Sequence, residues 1–340
     1  MATPYPDNFF GLLVSLPDGV PADRSTQAIV YLCGQNGIRR PLEISLDDPD
    51  ADDPTHRPEI RDGNLPLNLV FRSNGGVGVP TLPPSDLVVW GDNLAAYLDD
   101  YGDLCAVLDI ENEFTNLHFT DPTYTLDIYT DQVMPRAREV VDAWNLANSG
   151  SVLLADSGLV WLRTLSAAVN YLWNNGARDR ALEVIRETAD VFGRTIRTQP
   201  DLESYLAEAA DAIAEVDAYY AALQSIVDIW ALHHYGGKYA LLAMVEYLRV
   251  NYPGPDILLN ELGLRKQPNG QCEGNYDMFA SAIVAAWVSG LVGCIVFGNE
   301  SGDACSIFQP GYPGNTARAP RLRNSGRIYR CLCQTLPANV

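Results

Sequence analysis

Residues 105–114 read CAVLDIENEF and residues 256–263 read DILLNELG. Each is a short apolar run that stops at an Asn-Glu pair, Asn112-Glu113 in the first and Asn260-Glu261 in the second. Outward from these two stretches the same unit recurs: a short apolar run, a polar or Gly-rich turn, then a helical pattern. That alternation argues for parallel strands joined by crossover helices.

Eight such runs follow in order, at residues 10–16 (FGLLVSL), 41–46 (PLEISL), 65–71 (LPLNLVF), 105–110 (CAVLDI), 151–155 (SVLLA), 226–232 (IVDIWAL), 256–259 (DILL) and 293–297 (GCIVF). Helical patterns at 25–36, 87–99 and 130–144 separate the early ones, and 326–336 reads as a last helix. Residues 47–62 are acidic and rich in Pro, a surface loop. Eight strands with helices between them is the count of a (β/α)₈ TIM barrel of the α/β class, and we read residues 1–340 as one such domain. One interval is too long. About 70 residues separate the fifth and sixth runs, and they hold at least two helical patterns, 165–192 and 202–225. We expect a helical insertion over approximately 164–225, either a lid at the barrel mouth or extra packing.

In such barrels chemistry gathers where strands end, because the loops that follow them crowd over a rigid ring. Glu113 and Glu261 close the fourth and seventh runs, so they face one another across the mouth. Cleavage of a glycosidic bond with retention needs such a pair: one carboxyl protonates the leaving oxygen while another, about 5–5.5 Å away, attacks the anomeric carbon. The competing reading is that these acids cap following helices, as carboxylates do at helix N-termini. Glu111 lies two residues before Glu113 and competes with it, the lip of the strand favouring the later residue; Asp109 reads as structural.

This pattern resembles clan A of the glycoside hydrolases, the 4/7 superfamily of retaining (β/α)₈ enzymes. The resemblance implies Glu113 as acid/base, Glu261 as nucleophile and Asn112 as the residue holding a sugar 2-hydroxyl. The sixth run ends His233-His234-Tyr235, similar to the clan's His-Tyr lip, where a tyrosine bonds the nucleophile. Asp156-Ser157-Gly158 follows the fifth run, where substrate-contacting loops begin. His234, Tyr235, Asn74, Phe297, Trp161 and Arg40 complete the expected substrate-binding set. The chain departs from the clan at three places. Arg39-Arg40 precede the expected second strand instead of lying within it, Phe297 stands where a tryptophan usually floors the sugar subsite, and Phe114 follows the acid/base in place of proline. Those departures keep an alternative open, a catalytically inactive barrel that binds carbohydrate or a protein partner.

The rest of the sequence narrows the field. With 43 acidic against 23 basic residues the formal charge is −20, a surface that repels phosphate backbones, so nucleic acid is not an expected partner. No stretch approaches the roughly 18 apolar residues of a membrane span. The start, MATPYPDN, lacks a basic n-region followed by an apolar run, so the expectation is a cytoplasmic protein or a secreted one whose signal lies outside this sequence. His233 and His234, adjacent on a strand, would point to opposite faces, and His56 and His118 have no ligand spacing to them, so no metal is expected. There is no Gly-x-Ser-x-Gly elbow and no Gly-rich phosphate fingerprint, and no cofactor is called for. Asn74-Gly75-Gly76 is a loop that touches substrate or merely turns. Trp90, Trp161, Trp230, Phe119, Tyr124 and Tyr235 are candidate sugar platforms or core residues. Seven cysteines, at 33, 105, 272, 294, 305, 331 and 333, form no CxxC pair; most are expected as buried thiols, with a bridge from Cys272 or Cys305 left open. Sugar, linkage and oligomeric state have no signature.

Overall fold

The computed structural model describes residues 9–14, 23–34, 37–41, 44–45, 61, 63–72, 80–114, 120–188, 196–264, 276–297, 307–308 and 322–336. In chain order they form β1 (Phe10–Val14), α1 (Asp23–Cys33), β2 (Ile38–Pro41), β3 (Ile44–Ser45), β4 (Leu67–Arg72), α2 (Leu87–Tyr101) and β5 (Cys105–Ile110). Next comes one long helix, which starts as α3 (Leu126–Ile128), widens into a π-helical turn (Tyr129–Val133) and continues as α4 (Met134–Asn148). β6 (Leu153–Ala155) is followed by α5 (Trp161–Asn174), α6 (Arg178–Thr188), α7 (Gln199–Glu208) and α8 (Ala210–Leu223). The chain ends with β7 (Ile229–His234), α9 (Lys238–Asn251), β8 (Asp256–Leu262), α10 (Tyr276–Val288), β9 (Gly293–Phe297) and α11 (Asn324–Thr335).

These strands pair in parallel throughout; β1 lies between β2 and β9, and the ring closes where Arg39 of β2 pairs with Leu67 of β4. The two-residue β3 pairs with β4 outside the ring. The molecule is therefore a closed eight-stranded (β/α)₈ barrel, the architecture expected from the alternating runs. The second strand is a correction. It spans Ile38–Pro41, not 41–46, so the arginines that seemed to arrive early lie inside it.

Side-chain alternation divides the strands between two cores. Leu13, Ile38, Val107, Ala155, Ile229, Ala231, Leu258 and Ile295 fill the barrel's interior. Their neighbours Leu12, Leu108, Leu154, Trp230, Leu232 and Leu259 face outward into the larger core under the helices. Along β7 the phase is explicit: Ile229 and Ala231 point in, Trp230 and Leu232 point out, so His233 points in and His234 out.

The long interval, expected to hold at least two helical patterns, holds four helices among the described residues. α5 packs on α8 and α9, α6 on α5 and α9, and α8 on the π-helical turn. Thr198 caps α7 with a reciprocal capping box to Asp201, which explains a helix start where 202 was expected. No helix among the described residues is long and apolar enough to cross a membrane. Cys33, Cys105 and Cys294 are buried thiols, and Cys331 is exposed and Cys333 half-buried; Cys272 and Cys305 lie outside the described residues.

Candidate active site

The interior is layered. Above the apolar floor, Arg40, Asn68, Asp109 and Asn260 form a buried polar tier, each side chain entering from a different strand. Arg40 sits two residues after the inward Ile38 and so shares its face. It forms an ion pair with Asp109, donates to Asn68 Oδ1 at 2.7 Å and reaches Asn112 Oδ1 at 3.3 Å. Asn260 Nδ2 donates to the same Asp109 at 3.0 Å. Arg40 and Asp109 are 2% and 0% exposed, so removing either alone would strand a buried charge, a loss of about 3–5 kcal/mol. Arg40 therefore lies within the second strand and is joined to the lip through Asn112.

At the end of β5 the strand unwinds. Glu111 and Glu113 both take left-handed conformations, with φ of 67° and 45°. An unwound backbone separates two acids that a strand would have pointed the same way. Glu111 is buried and accepts from Tyr124 at 3.3 Å, away from the mouth. Glu113 turns over the barrel, and its Oε1 lies 3.1 Å from His233 Nδ1.

The end of β8 is irregular too. Ala231 pairs with Leu258 but His233 pairs with Glu261, so β8 carries one extra residue across from β7. Without that bulge, alternation from the inward Leu258 would put Asn260 inside and Glu261 outside. With it, both reach the interior, the re-aiming that bulges perform. Glu261 Oε2 lies 3.9 Å from His233 Nδ1, and its Oε1 accepts a hydrogen bond from Tyr235 OH. One imidazole nitrogen thus neighbours both glutamates, whose facing oxygens are at most about 7 Å apart. Both glutamates are 13% exposed, enough to meet a ligand from the mouth.

The electrostatics follow from burial and neighbours. Burial alone would lower the pKa of His233, but Glu261 and the Glu113 bond outweigh it and raise it above 6.5. Burial, then Glu261, pushes Tyr235 well above the usual phenol value, so it stays a donor. Burial drops His234 to about 4, and its Nε2 donates to Gly237 O at 3.0 Å.

Of the expected site residues, Glu113, Glu261, Tyr235, Asn112 and Arg40 come together. Phe297, half-buried at the end of β9, packs on the interior core. His234 and Trp161 do not join them. Both are buried behind β7, stacked edge to face at 5.6 Å, because His234 occupies the outward phase of the strand. His233, its neighbour, is the histidine at the mouth. Sequence reasoning had the rule that only one of the pair faces inward but lacked the strand's phase to choose. Trp90, Trp230 and Tyr124 are buried in the outer core. Asn74 and Phe119 lie outside the described residues. A separate concavity of about 890 Å³, lined by Arg61, Asp103 and Trp144 among others, sits at the opposite, N-terminal end of β4 and β5, away from the glutamates.

No protein-family model matches the chain, and no curated protein matches it by sequence. Solved structures do match. A glucosidase from Croceicoccus marinus superposes with a TM-score of 0.57 at 12% identity, over 97% of this chain and 68% of that one. A GH10 xylanase from Bispora sp. MEY-1 gives 0.54 at 10% identity, covering 95% and 96%. A β-glucosidase from Thermotoga maritima gives 0.51 at 11% identity, covering 98% of both chains. At such identities the likeness is one of fold. These neighbours are glycosidases, and what the chain shares with them is the parallel barrel.

Proposed function

We propose that this protein is a retaining glycoside hydrolase that cleaves a β-glycosidic bond by double displacement, with Glu261 as nucleophile and Glu113 as acid/base. One observation carries the reading: His233 Nδ1 lies 3.1 Å from Glu113 and 3.9 Å from Glu261, so both carboxylates overlook the same point of the mouth. The fold shared with solved glycosidases supports it.

In the first step a Glu261 oxygen attacks the anomeric carbon while Glu113 gives its proton to the departing glycosidic oxygen. In the second Glu113, now a carboxylate, takes a proton from water, which attacks the same carbon and releases Glu261. Tyr235 donates to one oxygen of Glu261 and leaves the other to attack. Arg40 occupies Asn112 Oδ1, which turns the two Nδ2 hydrogens toward a sugar hydroxyl. Such a contact strengthens as positive charge grows on the ring. The substrate is carbohydrate, and the reaction needs no cofactor.

The test is substitution. Glu261→Gln and Glu113→Gln should each lower kcat by at least about a thousandfold on unactivated glycosides. Azide should restore turnover of activated aryl glycosides to Glu113→Gln, giving a glycosyl azide of retained configuration. Normal activity in either variant ends this assignment.

A further inference from the structure

Glu113 stands on backbone that the sheet does not hold, since β5 ends at Ile110 and residues 111 and 113 are left-handed. Its fixation comes from the next strand end. Glu113 N donates to Ser157 O at 3.0 Å, and Phe114 N donates to Ser157 Oγ at 3.3 Å. Ser157 itself lies beyond β6, which ends at Ala155. It is held in turn by the hydroxyl of Tyr219 on α8, 3.0 Å from Ser157 Oγ and 3.3 Å from Ser157 N. That hydroxyl donates to Asp156 Oδ2 at 2.9 Å, and Asp156 Oδ1 accepts from Ala231 N on β7 at 2.6 Å. A second path runs through rings: Phe114 stacks on Tyr129 at 4.3 Å, and Tyr129 lies parallel to Tyr219 at 6.0 Å. Phe114, where the clan has proline, is thus the foot of a column that ends on α8.

We propose that Tyr219 is a positioning residue for Glu113, acting through Ser157, so that the helical segment between β6 and β7 fixes the geometry of proton delivery at the mouth. The inference rests on Glu113 being the acid/base. Tyr219, Asp156 and Ser157 are fully buried, so the hydroxyl network has no water to replace a missing partner. Burial, with Asp156 next, drives Tyr219 well above the ordinary phenol value, which keeps it a donor. The Glu113 turn inherits its position from three bonds to one oxygen, and a misplacement on the order of 1 Å costs about a hundredfold in such a step.

Tyr219→Phe removes the hydroxyl and keeps the ring column; Ser157→Ala removes the acceptor of Phe114 N. Both should fold, as circular dichroism and the unfolding midpoint would establish. Their kcat/KM is then measured over aryl glycosides of falling leaving-group acidity. A displaced proton donor hurts poor leaving groups and spares good ones. We expect kcat/KM, which reports the first displacement, to fall about tenfold or more for phenyl glycosides and about twofold or less for dinitrophenyl glycosides. A uniform loss across the series, or none, overturns the proposal. Glu113→Gln in the same series separates the two ideas. If it steepens the dependence and Tyr219→Phe does not, positioning fails alone; if it does not steepen it, the acid assignment fails first. A crystal structure of Tyr219→Phe needs no substrate: the Glu113–His233 contact should open, and an unchanged contact overturns the inference.

Discussion

At the residue scale, the two histidines that end β7 meet opposite surroundings. They are chemically identical, yet His233 lies between two glutamates and His234 against Trp161 in the wall. The pKa values move apart accordingly, His233 above 6.5 and His234 down to about 4. A histidine raised in the folded state stabilises the fold fully below its unfolded value, and that contribution is lost as pH rises through the folded value. The stability gap between wild type and His233→Gln should therefore be widest near about pH 6 and shrink toward about pH 9, read from urea midpoints. A gap that widens with pH would mean that His233 enters the fold neutral and does not pair with the glutamates. The buried Arg40–Asp109 pair beneath it has another role, holding Asn112 from below while Asn260 fastens β8 to β5.

At the element scale, strand ends decide the site more than strands do. Regular alternation puts Arg40, Asn68 and Asp109 inside, but it would send Glu261 outward, and the bulge between β7 and β8 corrects this. β5 solves the same problem by unwinding into two left-handed residues. The ends also rely on small residues. A Cβ on Gly263 would lie 2.1 Å from Tyr235 Cε1, inside the ring that carries the donor to Glu261. At Gly158, φ is 62° and a Cβ would meet His233 Nε2 at 2.7 Å. Gly263→Ala should therefore displace Tyr235 and lower kcat by about tenfold to a hundredfold while the far-ultraviolet spectrum stays native. Full activity in that variant would show that the Tyr235–Glu261 contact does not matter to turnover. Phe114 belongs to this scale as well, its ring clamping the unwound end of β5 onto Tyr129.

At the scale of the whole molecule, the closed ring lets residues more than a hundred positions apart meet over one imidazole, and α11 seals it where Tyr329 OH donates to Gly11 O at 2.6 Å. The net charge of −20 acts on the same scale, since like charges on one compact body repel. Raising NaCl from about 10 mM to about 0.5 M should raise the unfolding midpoint, because screening relieves that repulsion. A falling midpoint would mean that surface pairs such as Arg138–Asp228 outweigh it. Much of the architecture was legible in the chain: seven of the eight apolar runs fall on ring strands, the second meets its ring strand only at Pro41, and the overlong interval after the fifth is a stack of helices. The glutamates were legible as well, because a carboxylate at the lip of an apolar run is a local pattern. What slipped was phase and boundary. The second strand begins three residues before the expected run, and that shift alone made Arg40 look misplaced. Alternation has a period of two, so one residue of uncertainty exchanges inside for outside, and His233 for His234. By itself, then, the sequence determined the count of strands and the carboxylates at their ends, since burying apolar runs is a matter of composition along the chain. Only the tertiary structure decided which side chains look inward and how the Glu113 turn is held, because bulges, left-handed turns and the Tyr219 hydroxyl are set by contacts between segments distant in the chain.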